Sequence, residues 1–216
     1  MQPFPIRLRI PSNKETGDAV TGSDQTLVEY ALKGNEEAFA QIVEKYQKPV
    51  FNLCYRMLGS AVEAEDAAQE SFWRAYQALH RYDQTRSFLT WLLSIAAHYC
   101  IDQQRKRKMP LMELDDMPFE IIPDTAPVPE KVASKHEEQR LIHNLLEKLG
   151  PQDRAAIILR YWYDMSEEEI SQSLSLTVSA VKSRLHRARK QLAVLYADKS
   201  MKQNSSERRQ YEPSAV

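Results

Sequence analysis

Apolar residues recur at helical spacing along most of the chain. Phe39, Ile42, Val43, Tyr46, Val50, Leu53 and Met57 follow the i, i+3, i+4, i+7 rule of an amphipathic helix. Pro49 lies inside that run and is expected to kink or divide it, because its ring removes a donor and crowds the preceding turn. Gly59 suits a helix stop, and Ser60 with Glu63 has capping-box spacing for a helix over 61–80. After "RYDQTRS" a third pattern, Phe88, Trp91, Leu92, Ile95, Ala96 and Tyr99, runs into the basic cluster Arg105-Lys106-Arg107-Lys108.

The pattern breaks at Met109. Pro110, Pro118, Pro123, Pro127 and Pro129 alternate with Glu113, Asp115, Asp116 and Glu120, which reads as an acidic, Pro-rich linker. Helical spacing resumes near Val132, with Leu141, Ile142, Leu145, Leu146 and Leu149 before "GPQD". Pro151 suits the first turn of a helix continuing through Tyr161, and Ser166 with Glu169 repeats the capping-box spacing. Ile170 and Leu174 then mark a short helix, "SLT" a turn, and Thr177 the cap of a second helix. Its seam is Val178, Val181, Leu185, Ala188 and Leu192.

The expected fold class is all-α: two small helical domains joined by the Pro-rich acidic linker, the second a helix-turn-helix. The boundaries fall at 1–23 (a mobile arm), 24–108 (first domain), 109–134 (linker), 135–197 (second domain) and 198–216 (a C-terminal tail). No internal repeat is visible.

Composition changes this picture little. At 43% apolar and 27% charged, with only 5 glycines, the chain has the make-up of a soluble helical protein. Cys54 and Cys100 sit in apolar helical patterns without CxxC spacing, so buried reduced thiols are expected. No run is long enough to cross a bilayer, and residues 1–20, with three prolines, make a poor signal peptide. A cytoplasmic protein without membrane insertion is expected. His80, His98, His136, His143 and His186 show no metal spacing, and neither a Gly-rich phosphate loop nor a GxSxG elbow occurs. No enzyme activity, catalytic residue, metal or cofactor is therefore expected.

Charge matters through its distribution. The formal net charge is −1, yet Lys182, Arg184, Arg187, Arg189 and Lys190 crowd behind one short turn. With the apolar seam turned inward, Ser179, Lys182, Ser183, His186, Arg187 and Lys190 must lie on the opposite face. That face suits a major groove: cations neutralise phosphates, while a few side chains read base edges. A plain bundle with a solvated basic face is the competing reading.

"EEEISQSLSLTVSAVKSRLHRARKQL" resembles the second conserved domain of bacterial RNA polymerase sigma factors of the sigma-70 family, extracytoplasmic-function (ECF) group, with "VKSRLHRAR" intact at 181–189. It departs from the group's pattern at Ser171, at Ser179-Ala180, and at Ser175, which stands where glycine is usual and must adopt a left-handed backbone. The resemblance implies contacts to the upstream (−35) promoter element through Ser179, Lys182, Ser183, His186 and Arg187, with Arg184, Arg189 and Lys190 assigned to phosphates.

The first domain resembles the first conserved domain of the same group. Ala64-Glu65-Asp66, Gln69-Glu70 and Phe72 carry its hallmark. The resemblance implies that Asp66, Gln69, Glu70 and Trp73, on one helix stripe, dock on the clamp helices of the largest subunit of core RNA polymerase. "FLTWLLSIAAHYCIDQQRKRK" is similar to the group's promoter-melting segment, with Ala97-His98 where Arg-Asn is frequent. Thr90, Ser94, Ala97, His98, Ile101 and Arg105 are expected on its open face, and Trp91 and Tyr99 in the core. For the −10 element and melting, the implied residues are Tyr82, Asp83 and Gln84 of the loop, with His98, Arg105, Lys106 and Lys108. The implied function is a sigma factor that binds core polymerase and promoter DNA, restrained by an anti-sigma factor, its linker passing along the polymerase interior. A dimeric helix-turn-helix regulator acting without polymerase is the alternative.

Overall fold

The computed structural model describes residues 23–108 and 140–210, with side chains over 23–107 and 140–197. The expected arm and linker, the helical onset near Val132, the Lys108 side chain and the last residues of the tail lie outside these. All regular structure among the described residues is helical.

The first domain contains α1 (Asp24–Leu32), α2 (Glu36–Leu58), α3 (Ala61–Ala78), a short 3-10 turn (Leu79–Arg81) and α4 (Phe88–Lys108). Each start has a local cause. Ser23, Asn35 and Ser60 accept backbone N–H groups of Thr26, Ala38 and Glu63, satisfying donors the helix cannot. Gly59 ends α2 with φ 86, a left-handed geometry that costs glycine nothing. Pro49 does not divide α2, which runs through it as one helix of 23 residues. Burial on both sides of the proline, at Ile42, Val43 and Tyr46 and again at Val50, Leu53 and Met57, holds the helix across the missing donor.

The second domain contains α5 (140–147), α6 (Pro151–Trp162), α7 (Glu167–Ser173) and α8 (Val178–Gln210). Pro151 opens α6 at its first turn. Ser166 and Glu169 form the reciprocal capping box of α7, at 3.1 and 2.8 Å. Thr177 Oγ1 caps α8 by accepting from Ala180 N. Ser175 has φ 54, the left-handed conformation required of it in the turn. The backbone of α8 continues through the boundary drawn at 197 as far as Gln210.

The two domains pack against each other. Helix α4 is flanked by α2 and α3 within its own domain and by α6 and α7 of the second. This corrects the expected open face of α4. Ala97 and Ile101 are 0% and 3% exposed, not open. They lie on a stripe with Gln104, whose amide donates to the Met57 carbonyl at the end of α2, the same oxygen that receives Arg154 Nη1 from α6. The stripe is thus buried rather than open. Tyr163 adds a 2.6 Å bond to the Pro49 carbonyl, and the Arg56 guanidinium lies 5.1 Å from the centre of the Trp162 ring. The His143 ring covers Gly59, where a Cβ would collide with it. Cys54 and Cys100 are free and buried, and their mutual hydrogen bond, then burial, pushes the Cys100 thiol up.

Candidate nucleic-acid interface

Helix α8 divides as its sequence pattern requires. Val181, Leu185 and Ala188 are buried against α6 and α7, which fixes the rotation of the helix. Ser179, Lys182, Ser183, His186, Arg187, Arg189 and Lys190 are exposed. The face is locally ordered: Ser183 Oγ donates to the Ser179 carbonyl at 3.0 Å, and Lys182 Nζ stands 3.5 Å from Glu167 at the start of α7. Arg189 Nε turns back to the Leu185 carbonyl. His186 and Lys190 project free of the packed seam.

Arg184 and Arg187 behave differently from the rest. Both reach Asp153, in the first turn of α6. Arg184 Nη1 donates to Asp153 Oδ1 at 2.7 Å; Arg187 donates from Nη2 to Oδ1 at 3.0 Å and from Nε to Oδ2 at 2.9 Å. The Asp153 side chain is 10% exposed, that of Arg184 26% and that of Arg187 60%. Burial opposes ionisation of Asp153. The hydrogen bonds from Arg187 and Arg184, and their charges, outweigh it and hold the carboxyl below the usual carboxylate range. Arg184 therefore sits at the edge of the outward face, tied to α6, whereas Arg187 keeps an open side.

In the first domain, the 82–87 loop is held by its own polar groups. Tyr82 donates to the Arg86 carbonyl at 2.5 Å and packs edge-on against Phe88 and tilted against Trp91. The Asp83 carboxylate accepts from Thr85 N and Oγ1 and lies 3.5 Å from Arg86. The bonds from Thr85 lower its pKa. Gln84 at the tip is exposed. Along α4, His98 is exposed with Nδ1 2.9 Å from the Ser94 carbonyl, Arg105 stands 3.8 Å from Asp102, and Lys106 is exposed. Arg105 also lines a cleft of about 470 Å³ with Pro151, Asp153, Arg184 and Arg187, so basic groups of both domains converge there. Trp91 and Tyr99 are half-buried against the core.

Asp66 and Gln69 are exposed on α3, one turn apart. Glu70 is half-buried and accepts from Arg74 Nε at 2.7 Å, and the Arg74 guanidinium lies 4.8 Å from the centre of the Tyr99 ring. Trp73 is half-buried and stacks on Tyr76. The structure thus gathers the α3 stripe on one surface, well ordered by its neighbours.

This pairing of a loop-and-helix domain with a helix-turn-helix matches two family models in order: Sigma-70 region 2 over residues 42–109 and Sigma-70, region 4 over residues 139–192. The chain is 38% identical over 174 residues to the ECF RNA polymerase sigma factor SigW of Bacillus subtilis, covering 76% of this chain and 92% of that protein. The chain belongs to the ECF sigma factors. Among solved structures, CnrH in complex with the cytosolic domain of CnrY is similar to this sigma factor at 26% identity, with a TM-score of 0.61 over 82% of this chain and 99% of that one. The sigma factor RpoE of Bartonella quintana, solved with the anti-sigma factor NepR, shares the fold at 20% identity and a TM-score of 0.55, over 74% and 96% of the two chains.

Region 2 of this sigma factor corresponds to α2–α4, and region 4 to α5–α8. The basic cluster of α8 lies within the residues that match region 4. Sequence reasoning missed Asp153, because an acidic residue behind Pro151 looks like ordinary first-turn charge. Nothing in the spacing links it to arginines 31 and 34 positions later. No helix among the described residues is long and apolar enough to cross a membrane, and no group of three or more His, Cys, Asp or Glu among them could hold a metal ion.

Proposed function

We propose that this sigma factor binds core RNA polymerase through α3, reads the upstream promoter element with α8, and uses α4 with the 82–87 loop to open the downstream element. The observation that carries this reading is the exposed, ordered polar face of α8. Ser179, Lys182, Ser183, His186 and Arg187 stand on a helix whose rotation the buried Val181–Leu185–Ala188 seam fixes. Such a face combines direct readout by a few side chains with phosphate neutralisation by Arg189 and Lys190. On α3, the exposed Asp66 carboxylate and Gln69 amide, beside the Glu70–Arg74 pair, offer acceptors for arginines of a partner helix. An anti-sigma factor is the expected inhibitor, as in the RpoE–NepR complex, and the relevant partners are polymerase and DNA rather than a small-molecule substrate or cofactor.

Footprinting with and without core polymerase tests this function. Protection of two promoter elements only when polymerase is present agrees with it. Protection of a palindrome by the chain alone identifies a self-standing helix-turn-helix regulator instead.

A further inference from the structure

Asp153 restricts what Arg187 is able to do. An arginine offers N–H donors along two bidentate edges: Nε with one Nη, or the two Nη groups end-on. Asp153 occupies the first of these, accepting from Nε at 2.9 Å and from Nη2 at 3.0 Å. What remains outward is Nη1 and the second hydrogen of Nη2, the end-on edge. The guanidinium plane is also fixed, since the accepting carboxylate is itself nearly buried and held by Arg184. A planar, pre-oriented pair of donors matches the O6 and N7 acceptors of guanine in the major groove. A phosphate, which accepts from many directions, needs no such fixing.

The charge balance points the same way. Asp153 sets one negative charge against two arginines, so the cluster attracts phosphate less than the sequence count of cations implies. A residue that lowers general attraction while fixing one donor edge favours discrimination over affinity.

We infer that Asp153 is a positioning residue that sets the specificity of this sigma factor, holding Arg187 end-on to a guanine at one base pair of the upstream element. The inference rests on the reading of α8 as the promoter-reading helix.

The test is competitive binding of holoenzyme to promoters randomised in the upstream element, read as a preference at each base pair and as a salt slope. Wild-type protein should prefer guanine at one position by roughly tenfold or more, the range of a good bidentate contact. Asp153→Asn should reduce that preference to about threefold or less at that position alone, with the salt slope unchanged or steeper. Arg187→Ala should flatten the same position, and combining it with Asp153→Asn should remove nothing more there. Asp153→Glu keeps the charge but displaces it, so it should also lose the preference while keeping the salt slope; it carries the test if the Asn variant does not fold. An unchanged profile in the Asp153 variants, or an equal loss at every position, overturns the inference. Wild-type holoenzyme with no preference anywhere in the upstream element overturns the reading of α8 instead.

Discussion

At residue scale, two side chains carry strain or charge that can be measured. Ser175 has φ 54 in the turn between α7 and α8, a conformation that costs most residues about 1 kcal/mol and glycine almost none. Part of that gain is offset by the greater freedom of glycine in the unfolded chain. Ser175→Gly should therefore stabilise the second domain by about 0.5 kcal/mol, seen as a higher urea midpoint with unchanged slope. A lower midpoint would mean that the serine side chain contributes more than its backbone costs. Asp153 makes a pH prediction. Its folded carboxyl titrates below the ordinary range, so the stability from its bonds to Arg184 and Arg187 is present above about pH 4 and is lost as pH falls through the lower folded value. The melting-temperature gap between wild type and Asp153→Asn should be widest near neutral pH and close below about pH 4. A gap that does not change with pH would mean that the carboxylate charge is irrelevant to folding.

At the scale of elements, the α3 stripe gives the clearest prediction. Changing Asp66 and Glu70 together to Lys reverses two charges on a surface that contributes no core side chain, since Ala64, Ala67, Ala68, Phe72 and Ala75 face inward. Helical circular dichroism should be unchanged, while affinity for core polymerase should fall by about tenfold or more, roughly 1.4 kcal/mol. Equal affinity would remove α3 from the docking surface. The elements themselves were readable because their signals are local: Ser60, Gly59, Pro151, Ser166 and Thr177 mark helix ends through groups within a few residues of each other. The α8 seam was readable because helical period alone decides which face is apolar. The open face of α4 was not. Ala97 and Ile101 are apolar whether they line an open face or a buried one, and no local pattern distinguishes the two. Pro49 likewise breaks a local rule that tertiary burial overrides.

At the scale of the whole molecule, the two domains are joined by a contact whose strength can be measured. Arg154 and Tyr163 reach backbone carbonyls of α2, at Met57 and Pro49, and α6 and α7 lie along α4. In this arrangement α6 and α7 cover part of α4, the helix proposed above to act at the downstream element. The directional bonds of this contact are few: about 1 kcal/mol net for the neutral Tyr163 bond and about 1.5–3 kcal/mol for the charged Arg154 bond. Tyr163→Phe combined with Arg154→Met should expand the molecule in solution scattering without reducing its helical signal. An unchanged radius of gyration would mean that burial of apolar surface, not these bonds, holds the domains together.

The most direct test of the central claim, that this chain redirects core RNA polymerase to promoters of its own, is transcription from genomic DNA in vitro, with purified core polymerase alone and with the chain added, mapping every transcript start. The account predicts a new set of starts, appearing only with the chain and sharing one upstream and one downstream sequence element. Start sites identical in the two reactions would contradict it.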